Sequence, residues 1–478
     1  MRRIVRILLF VLLAVFFTFT PLSFTQQQQQ PIKDFIRAQA PVIVLEHVRL
    51  IDGTGAAAKA DQTIVISGGK ILAIGNAGSV QIPADAQKID YTGYSALPGL
   101  VGMHDHLFYP AGGALYHDMP FSFPRLYLAL GVTTIRTTGS IEPYFDLELK
   151  KGIDQGKLIG PKMNITGPYI EGEGAFTRQL HALRDADDAR KTVAYWISEG
   201  VRSFKVYNML TRAELKATVE EAHKHNIKVT GHLCSIGFRE AAEIGIDDLE
   251  HGLTVDTEFF PEKKPDVCPN PTQAVAAAAK LEVTSEPIQT TIKTLLQHHV
   301  AVTSTLPVFE QMVSSRPDEP QKVMEMLSED AKKAYLANRK RIAETKDSPW
   351  PVMFQREMEF ELAFVRAGGT LLAGLDPTGI GGDIAGFGDH RELELLVETG
   401  FTPLEAIKIA TLNGAQFLGE AEHIGSLATG KQADIMMVKG DPSVRIEDIE
   451  NVEVVFKDGV GWDTKKLVES VKGTVGTK

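Results

Sequence analysis

Apolar positions along the chain follow one rhythm at its two ends and another between them. From Ile43 to Ile89 they come in short β-rich pieces broken by Gly and Asp, "VIVLEHVRLIDGTG" and then "QTIVISGGKILAIG", where "SGGK" signals a hairpin. This rhythm predicts a small antiparallel sheet. It returns near the far end in "GSLATGKQADIMMVKGD" and "VEVVFKDGV", so the two ends are expected to build one small β-sandwich together. From about Leu97 to Gly419, strand-like apolar runs alternate with amphipathic helical stretches, the pattern of repeated βα units around a parallel sheet. "GLVGMHDH", "GVTTIRTTG", "MNITGP", "SFKVYN", "IKVTGHL", "DDLEHG", "VAVTSTL" and "TLLAGLDP" supply the eight strands that a (β/α)8 TIM barrel requires.

The implied organisation is an α/β chain with residues 41–95 and 421–478 in the sandwich and residues 96–420 in the barrel. "TRAELKATVEEAHKHN" reads as a helix with Thr211 as N-cap and Glu214 closing a capping box, ending near Asn226. The stretch from Pro261 to Pro287, partly Pro-rich and partly Ala-rich, reads as an insertion over the barrel mouth, a solvated excursion rather than a lid.

Ahead of this body the pattern changes. Arg2, Arg3 and Arg6 precede an apolar run from Ile7 to Phe19, so residues 1–25 read as a secretory signal and residues 26–40, with their Gln tract, as a linker. The run is shorter than the roughly 20 apolar residues that cross a bilayer, and an uncleaved N-terminal anchor is the alternative. The expected location is periplasmic or extracellular, with no stable membrane span in the mature chain. With 44% hydrophobic and 23% charged residues the composition is that of a globular protein with a large core. The net charge of -11 is spread along the chain and argues against a nucleic-acid partner. Two cysteines, Cys234 and Cys268, cannot make a dense disulfide framework, and whether they pair is open.

Chemistry enters at "PGLVGMHDHLF". Strand residues two apart project to the same face about 6.6 Å apart, so His104 and His106 can both reach one ion. Lys205 in "SFKVYN", His232 in "VTGHLCS", His251 in "DLEHGL" and Asp376 in "LLAGLDPTG" each stand at the end of another predicted strand, where the active sites of such barrels lie. Tyr207, two residues after Lys205, could donate a hydrogen bond to a substrate, and His181 and His390 could line its cleft or be satisfied polar residues. His298 and His299 precede a strand and read as structural. "GGDIAGFG" and "TGPYIEGEG" lack phosphate-loop spacing and read as active-site loops. Neither a Ser nucleophile elbow nor a Cys with a His partner stands out.

These motifs, the "PGL" ahead of the first histidines and the closing "HRELELLVETGFTPLEAIKIATLNGAQFLG" resemble the amidohydrolase superfamily, in particular its imidazolonepropionase-like and Xaa-Pro dipeptidase, or prolidase-like, branch. The resemblance implies that His104 and His106 bind one metal, that a carboxylated Lys205 bridges two, that His232 and His251 bind the second, and that Asp376 takes the proton from the attacking water. An unmodified Lys, with a pKa of about 10.4, would repel a cation, whereas its carbamate attracts one. The pair of divalent ions, zinc by default, would lower the pKa of water from about 15.7 towards about 7 and polarise the amide carbonyl it attacks. The family often has an acidic residue two positions before the first histidine, where this chain has Gly102.

The expected activity is hydrolysis of a small-molecule amide, an Xaa-Pro-like dipeptide or an N-acyl amino acid, by a chain free to form homo-oligomers. Two rivals stay open: a mononuclear imidazolonepropionase-like hydrolase or deaminase in which Lys205 has no metal role, and an exported binding protein without catalysis.

Overall fold

The computed structural model describes residues 31–477. The segment read as a secretory signal, and the Gln tract after it, lie outside the described residues.

Strands from both chain ends join in one nine-stranded sheet. Its central seam pairs Tyr94–Pro98 antiparallel with Ile435–Lys439, in register from Ile435 opposite Pro98 to Lys439 opposite Tyr94. The sheet is mixed rather than purely antiparallel, because Val42–Leu50 runs parallel to both Gln87–Asp90 and Tyr94–Pro98. The expected hairpin is present, Lys59–Ser67 against Lys70–Asn76 around Gly68 and Gly69, both at positive φ. Alternate residues of these strands, among them Ile43, Leu45, Ile64, Ile66, Ile435, Met437, Val454 and Phe456, bury one shared apolar cluster. Residues 36–38, read from the sequence as linker, instead pair with Val460–Asp463 as an edge strand, because Phe35 just before it and Ala38 at its end are buried.

All eight runs between the ends contain a parallel strand: β1 (Leu100–Gly102), β2 (Val132–Arg136), β3 (Lys162–Asn164), β4 (Ser203–Val206), β5 (Lys228–Gly231), β6 (Asp248–Glu250), β7 (Ala301–Ser304) and β8 (Leu371–Ala373). They hydrogen-bond in the orders β3-β2-β1 and β4-β5-β6-β7-β8. Parallel bridges Thr166 to Ser203 and Ile170 to Val206 link the chain after β3 to β4. At the other edge the Met103 and Asp376 amides donate to Ala373 O (2.8 Å) and His104 O (3.0 Å), joining the chain around β1 to that around β8.

A helix follows each strand: α1 (Ser122–Ala129), α2 (Pro143–Asp154), α3 (Ala186–Glu199), α4 (Arg212–His223), α5 (Phe238–Ile244), α6 (Glu286–Gln297), α7 (Trp350–Arg366) and α8 (Phe387–Thr399). Helix α4 starts at the expected capping box of Thr211 and Glu214. No helix among the described residues is long and apolar enough to cross a membrane.

The insertion after β6 is less solvated than its composition suggests. Its helix Pro271–Ala278 buries Ala274, Val275 and Ala278, since a face of small side chains lets it lie close against α7. Cys234, just past β5, and Cys268 in this insertion form a disulfide. Opening that bridge frees a loop of 34 residues, worth about 3–4 kcal/mol of chain entropy. Cys268→Ser is expected to lower the urea midpoint accordingly, and an unchanged midpoint under reductant would show that the bridge adds nothing.

Candidate metal centre

The six residues singled out by sequence converge at the C-terminal ends of the parallel strands. Lys205 lies within β4, His232 and His251 directly follow β5 and β6, and Asp376 lies three residues past β8. His104 and His106 stand just beyond β1, which stops at Gly102 and not at the histidines. The extension is still held from both sides, by Met103 N to Ala373 O and by Asp105 N to Arg136 O (3.2 Å). Both imidazoles thereby face the same space.

Asp376 is the hub. Its Oδ2 lies 3.5 Å from His104 Nε2 and 3.8 Å from His251 Nε2, and its Oδ1 lies 3.4 Å from His106 Nε2. Lys205 Nζ is 3.0 Å from His104 Nε2. The His232 and His251 rings are 4.5 Å apart between centroids, as are those of His104 and His251. One ligand atom from each of His104, His251 and Asp376 falls within 4.8 Å of the others, close enough to hold a metal ion.

The free nitrogens point the same way. His104 Nδ1 is engaged by Glu250 Oε2 (2.6 Å) and His251 Nδ1 by Thr305 Oγ1 (2.7 Å), so the Nε2 lone pairs of both are left for the centre. His251 Nε2 and His232 Nδ1 are buried with no hydrogen-bond partner in the protein. Such orphaned acceptors, on two neighbouring rings of which one faces the Asp376 carboxylate, fit a divalent cation.

Burial tunes the same groups. It pushes the His104 and His232 imidazoles down to about 4 and about 3, with Lys205 nearby adding to the effect, and lowers His106 and His251 as well. At neutral pH the four rings are therefore uncharged, each with one nitrogen free of a proton, as ligation requires. Burial also pushes the Lys205 amine down to about 8, against the pull of Glu250 and Asp376. For Asp376 burial acts upward, but the imidazoles of His104, His106 and His251 hold it well below the usual carboxylate range.

The backbone is bent to achieve this. His251 and Asp376 adopt φ of 68° and 55°, a left-handed conformation that costs a non-glycine residue of order 1–3 kcal/mol. Gly374 lets β8 approach the first histidine, because a Cβ there would come within 2.3 Å of His104 Cβ.

Two residues that the motifs do not flag support the centre. Arg136, fully buried in β2, donates to Met103 O (2.8 Å) and to Glu250 Oε1 (2.6 Å). Glu250 in turn fixes the ring of His104. Alternation along a strand would place Glu250 and His251 on opposite faces. The left-handed turn at His251 brings both to the interior, and no sequence pattern announces it. The absent acid at Gly102 also finds its reason: the Asp105 carboxylate lies against Gly102, leaving no room there for a side chain.

The remaining candidates divide. Tyr207 packs its ring 4.6 Å from that of His232, at the edge of the centre. Tyr169, not singled out by sequence, places its hydroxyl 3.4 Å from His106 Nε2. His181 is not brought to the six; it pairs with Asp188 (3.1 Å) beside a separate cavity of about 410 Å³. His390 does not line a cleft: it is buried in α8 and donates from Nε2 to Leu130 O (2.6 Å), just ahead of β2 and so at the opposite end of the strands. A cavity of about 930 Å³, lined by Thr134, Lys162, Arg202, Lys457 and Trp462 among others, also lies at that far end and contains none of the six.

Comparison with known proteins places this geometry among relatives. Residues 95–461 match the model of the amidohydrolase family. A deacetylase of Agrobacterium fabrum is 33% identical over 102 residues, 21% of this chain and 23% of the relative. An imidazolonepropionase of Parabacteroides distasonis is 40% identical over 62 residues, 12% of this chain and 15% of the relative. The chain thus matches less than a quarter of the length of either curated relative. A crystal structure of a Xaa-Pro dipeptidase with methionine bound in its active site superposes with a TM-score of 0.66 at 20% identity, covering 88% of this chain and all of that one.

Two measurements test this account of the buried groups. Glu250→Gln removes the nearer carboxylate from the buried Arg136 guanidinium, leaving Asp248 at 3.8 Å, and is expected to cost about 3 kcal/mol in urea unfolding; a loss below about 1 kcal/mol would show that the pair is not structural. Burial holds His390 down at about 4 against about 6.5 in the unfolded chain, so between these values only the unfolded chain takes up the proton. Stability contributed by His390 therefore falls as pH drops through that window, by about 3 kcal/mol in full. His390→Gln should flatten the profile of urea midpoint against pH between about 6.5 and 4, and a profile parallel to that of the parent would contradict the assignment.

Proposed function

The chain belongs to the amidohydrolase family, and within that family we propose a hydrolase of carbon–nitrogen bonds, a binuclear amide hydrolase acting on Xaa-Pro-like dipeptides or N-acyl amino acids. His104, His106 and Asp376 would hold one divalent ion, His232 and His251 the other, and Lys205, carboxylated by CO2, would bridge them. Zinc is the default, since neutral imidazoles, a carboxylate and a carbamate suit it. The observation that carries the reading is the pair of buried, partnerless ring nitrogens, His251 Nε2, 3.8 Å from Asp376 Oδ2, and Nδ1 of His232, whose ring lies 4.5 Å from that of His251. The lowered basicity of Lys205 supports its modification, because only the neutral amine reacts with CO2.

Two bound divalent ions supply Lewis acidity, which polarises an amide carbonyl and makes water a nucleophile near neutral pH. Everything else falls to the chain. Asp376, ionised and within reach of three imidazoles, would accept the proton of the attacking water and return it to the leaving amine. Glu250 would hold His104 in the tautomer that presents Nε2, and Arg136 would hold Glu250. Tyr207 would donate to the substrate beside His232.

In the same reading the eight parallel strands close into a (β/α)8 barrel. The hydrogen bonds between the chain around β1 and that around β8, and the bridges between the chain after β3 and β4, support that closure. The end sheet, with its own apolar cluster, would serve as the small β-sandwich. Export under a signal at residues 1–25 is supported by the Cys234–Cys268 bridge, which an oxidising compartment favours.

Elemental analysis of the zinc-supplemented protein, together with a screen of dipeptides, N-acyl amino acids and lactones with and without chelator, tests the proposal. Two metal equivalents and chelator-sensitive amide hydrolysis are expected. Lys205→Ala should lose at least one equivalent and about 100-fold or more in kcat/KM. A Lys205→Ala protein that keeps the parent's metal content and activity would overturn the bridging role of Lys205, and one equivalent in the parent would favour a mononuclear enzyme.

A further inference from the structure

The cavity of about 930 Å³ at the N-terminal ends of the strands holds no residue of the metal centre, and amide hydrolysis gives it no task. Its walls come from parts of the chain far apart in sequence: the end of α2, the starts of β3 and β4, the residues just before β5, residues 418–432, and the edge strand Val460–Asp463 of the end sheet. A hollow of this volume between the parallel strands and a second sheet has the size and the setting of a small-molecule site.

Seven of its lining side chains are charged, and four of these cancel: Lys150 pairs with Asp154 at 2.6 Å, and Lys162 with Asp458 at 2.9 Å. The other three, Arg202, Lys457 and Glu420, make no ion pair among the described residues. The Arg202 guanidinium donates to the adjoining Val201 O at 3.2 Å, which is uncharged. Lys457 is half-buried, and burial lowers its ammonium below the usual lysine range against the pull of Asp458, Asp434 and Asp154, with Lys162 adding to the lowering. A negative group brought beside it would offset that cost.

Hydrogen-bonding capacity is unspent in the same walls. Asn164 Oδ1, Gln432 Oε1 and Trp462 Nε1 are buried without a partner among the described residues, two carbonyl oxygens that accept and an indole N–H that donates. Between the polar groups the lining is aliphatic, with Ile153, Leu158, Ile197, Ile227, Leu418 and Val460. Two spare cations, one spare carboxylate and an aliphatic surface thus face one space.

We propose that this cavity binds a small zwitterion with an apolar side chain, a free amino acid or a short peptide. Its carboxylate would meet Lys457 and Arg202, its ammonium Glu420, and its side chain the aliphatic wall. An anion alone would leave Glu420 unanswered, an amine alone would leave both cations so, and an uncharged molecule would answer none of the three. The proposal does not depend on the amide-hydrolase reading, since no residue of the metal centre takes part.

Calorimetric titration of the full chain with L-leucine and with glycyl-L-leucine tests it and separates the amino acid from the peptide. The controls are 4-methylpentanoate, which is leucine without its ammonium, and 3-methylbutylamine, which is leucine without its carboxylate. At least one zwitterion is expected to bind saturably, about ten-fold or more tighter than either control, as a charged hydrogen bond gives. Lys457→Met and Glu420→Gln should each weaken that binding about ten-fold, whereas Lys205→Ala, at the metal centre, should leave it unchanged. Glu420 is exposed, so its variant keeps the fold intact. Three results would overturn the proposal: no saturable binding of either zwitterion, controls that bind as tightly, or binding that survives Lys457→Met and Glu420→Gln but is lost in Lys205→Ala. A chain that hydrolyses no amide would still give the same titrations, so failure of the hydrolase reading is told apart from failure of this one.

Discussion

Two carboxylates, Asp376 and Glu250, sit in a space from which water is almost excluded, and the rest of the centre is arranged around their charge. An ionised carboxyl in such surroundings costs several kcal/mol unless it is paired and hydrogen-bonded. Glu250 is compensated in full, by the Arg136 guanidinium on one oxygen and the His104 ring on the other. Asp376 is not. Its partners are three imidazoles 3.4–3.8 Å away, which favour its ionised form but carry no formal charge of their own at neutral pH. The site is therefore short of positive charge where its nitrogen lone pairs converge, the electrostatic condition under which a divalent ion binds tightly.

That deficit also explains why the backbone tolerates strain here. Left-handed residues at His251 and Asp376 are each unfavourable, yet they turn two strand ends so that Nε2 of one faces Oδ2 of the other. Without the turn at His251, the inward-facing residue at the end of β6 would be Glu250 or His251 but not both. The fold can afford this because the strands beneath are packed on both sides and Gly374 removes the one side chain that would hold β8 away from His104.

What the sequence made legible divides along the same line. The eight strand segments could be read from their apolar runs, and the six polar residues from their place at the ends of those runs, because each belongs to a local pattern. Glu250 could not be recognised, since its inward orientation depends on the conformation of the next residue. Arg136 was equally hidden: in "GVTTIRTTG" it looks like one charged residue in a short strand, and only its contact with a residue 114 positions away gives it a role. His390 takes the second of the two roles open to it in the sequence, that of a satisfied polar residue. It stands in a segment near the site in sequence, but one face of α8 points towards the start of β2, and the histidine there satisfies Leu130 O. The edge strand at residues 36–38 was missed because three residues carry too little periodicity; its pairing partner lies at the far end of the chain.

The division of labour between the two ends of the strands follows from where chain segments are free to vary. At the N-terminal ends the polar groups satisfy backbone carbonyls, as His390 does, and stabilise packing. At the C-terminal ends the connecting segments are longer and are fastened by other means: the disulfide ties the chain two residues after His232 to the insertion, and a relay of rings ties the hairpin after β1 to the loop after β3. Fastening of this kind matters for hydrolysis, because charges facing one another across a dry, fixed gap interact far more strongly than in water. The rings packed on His106 and His232 serve that fastening, because they carry few torsions and lose little freedom in being held.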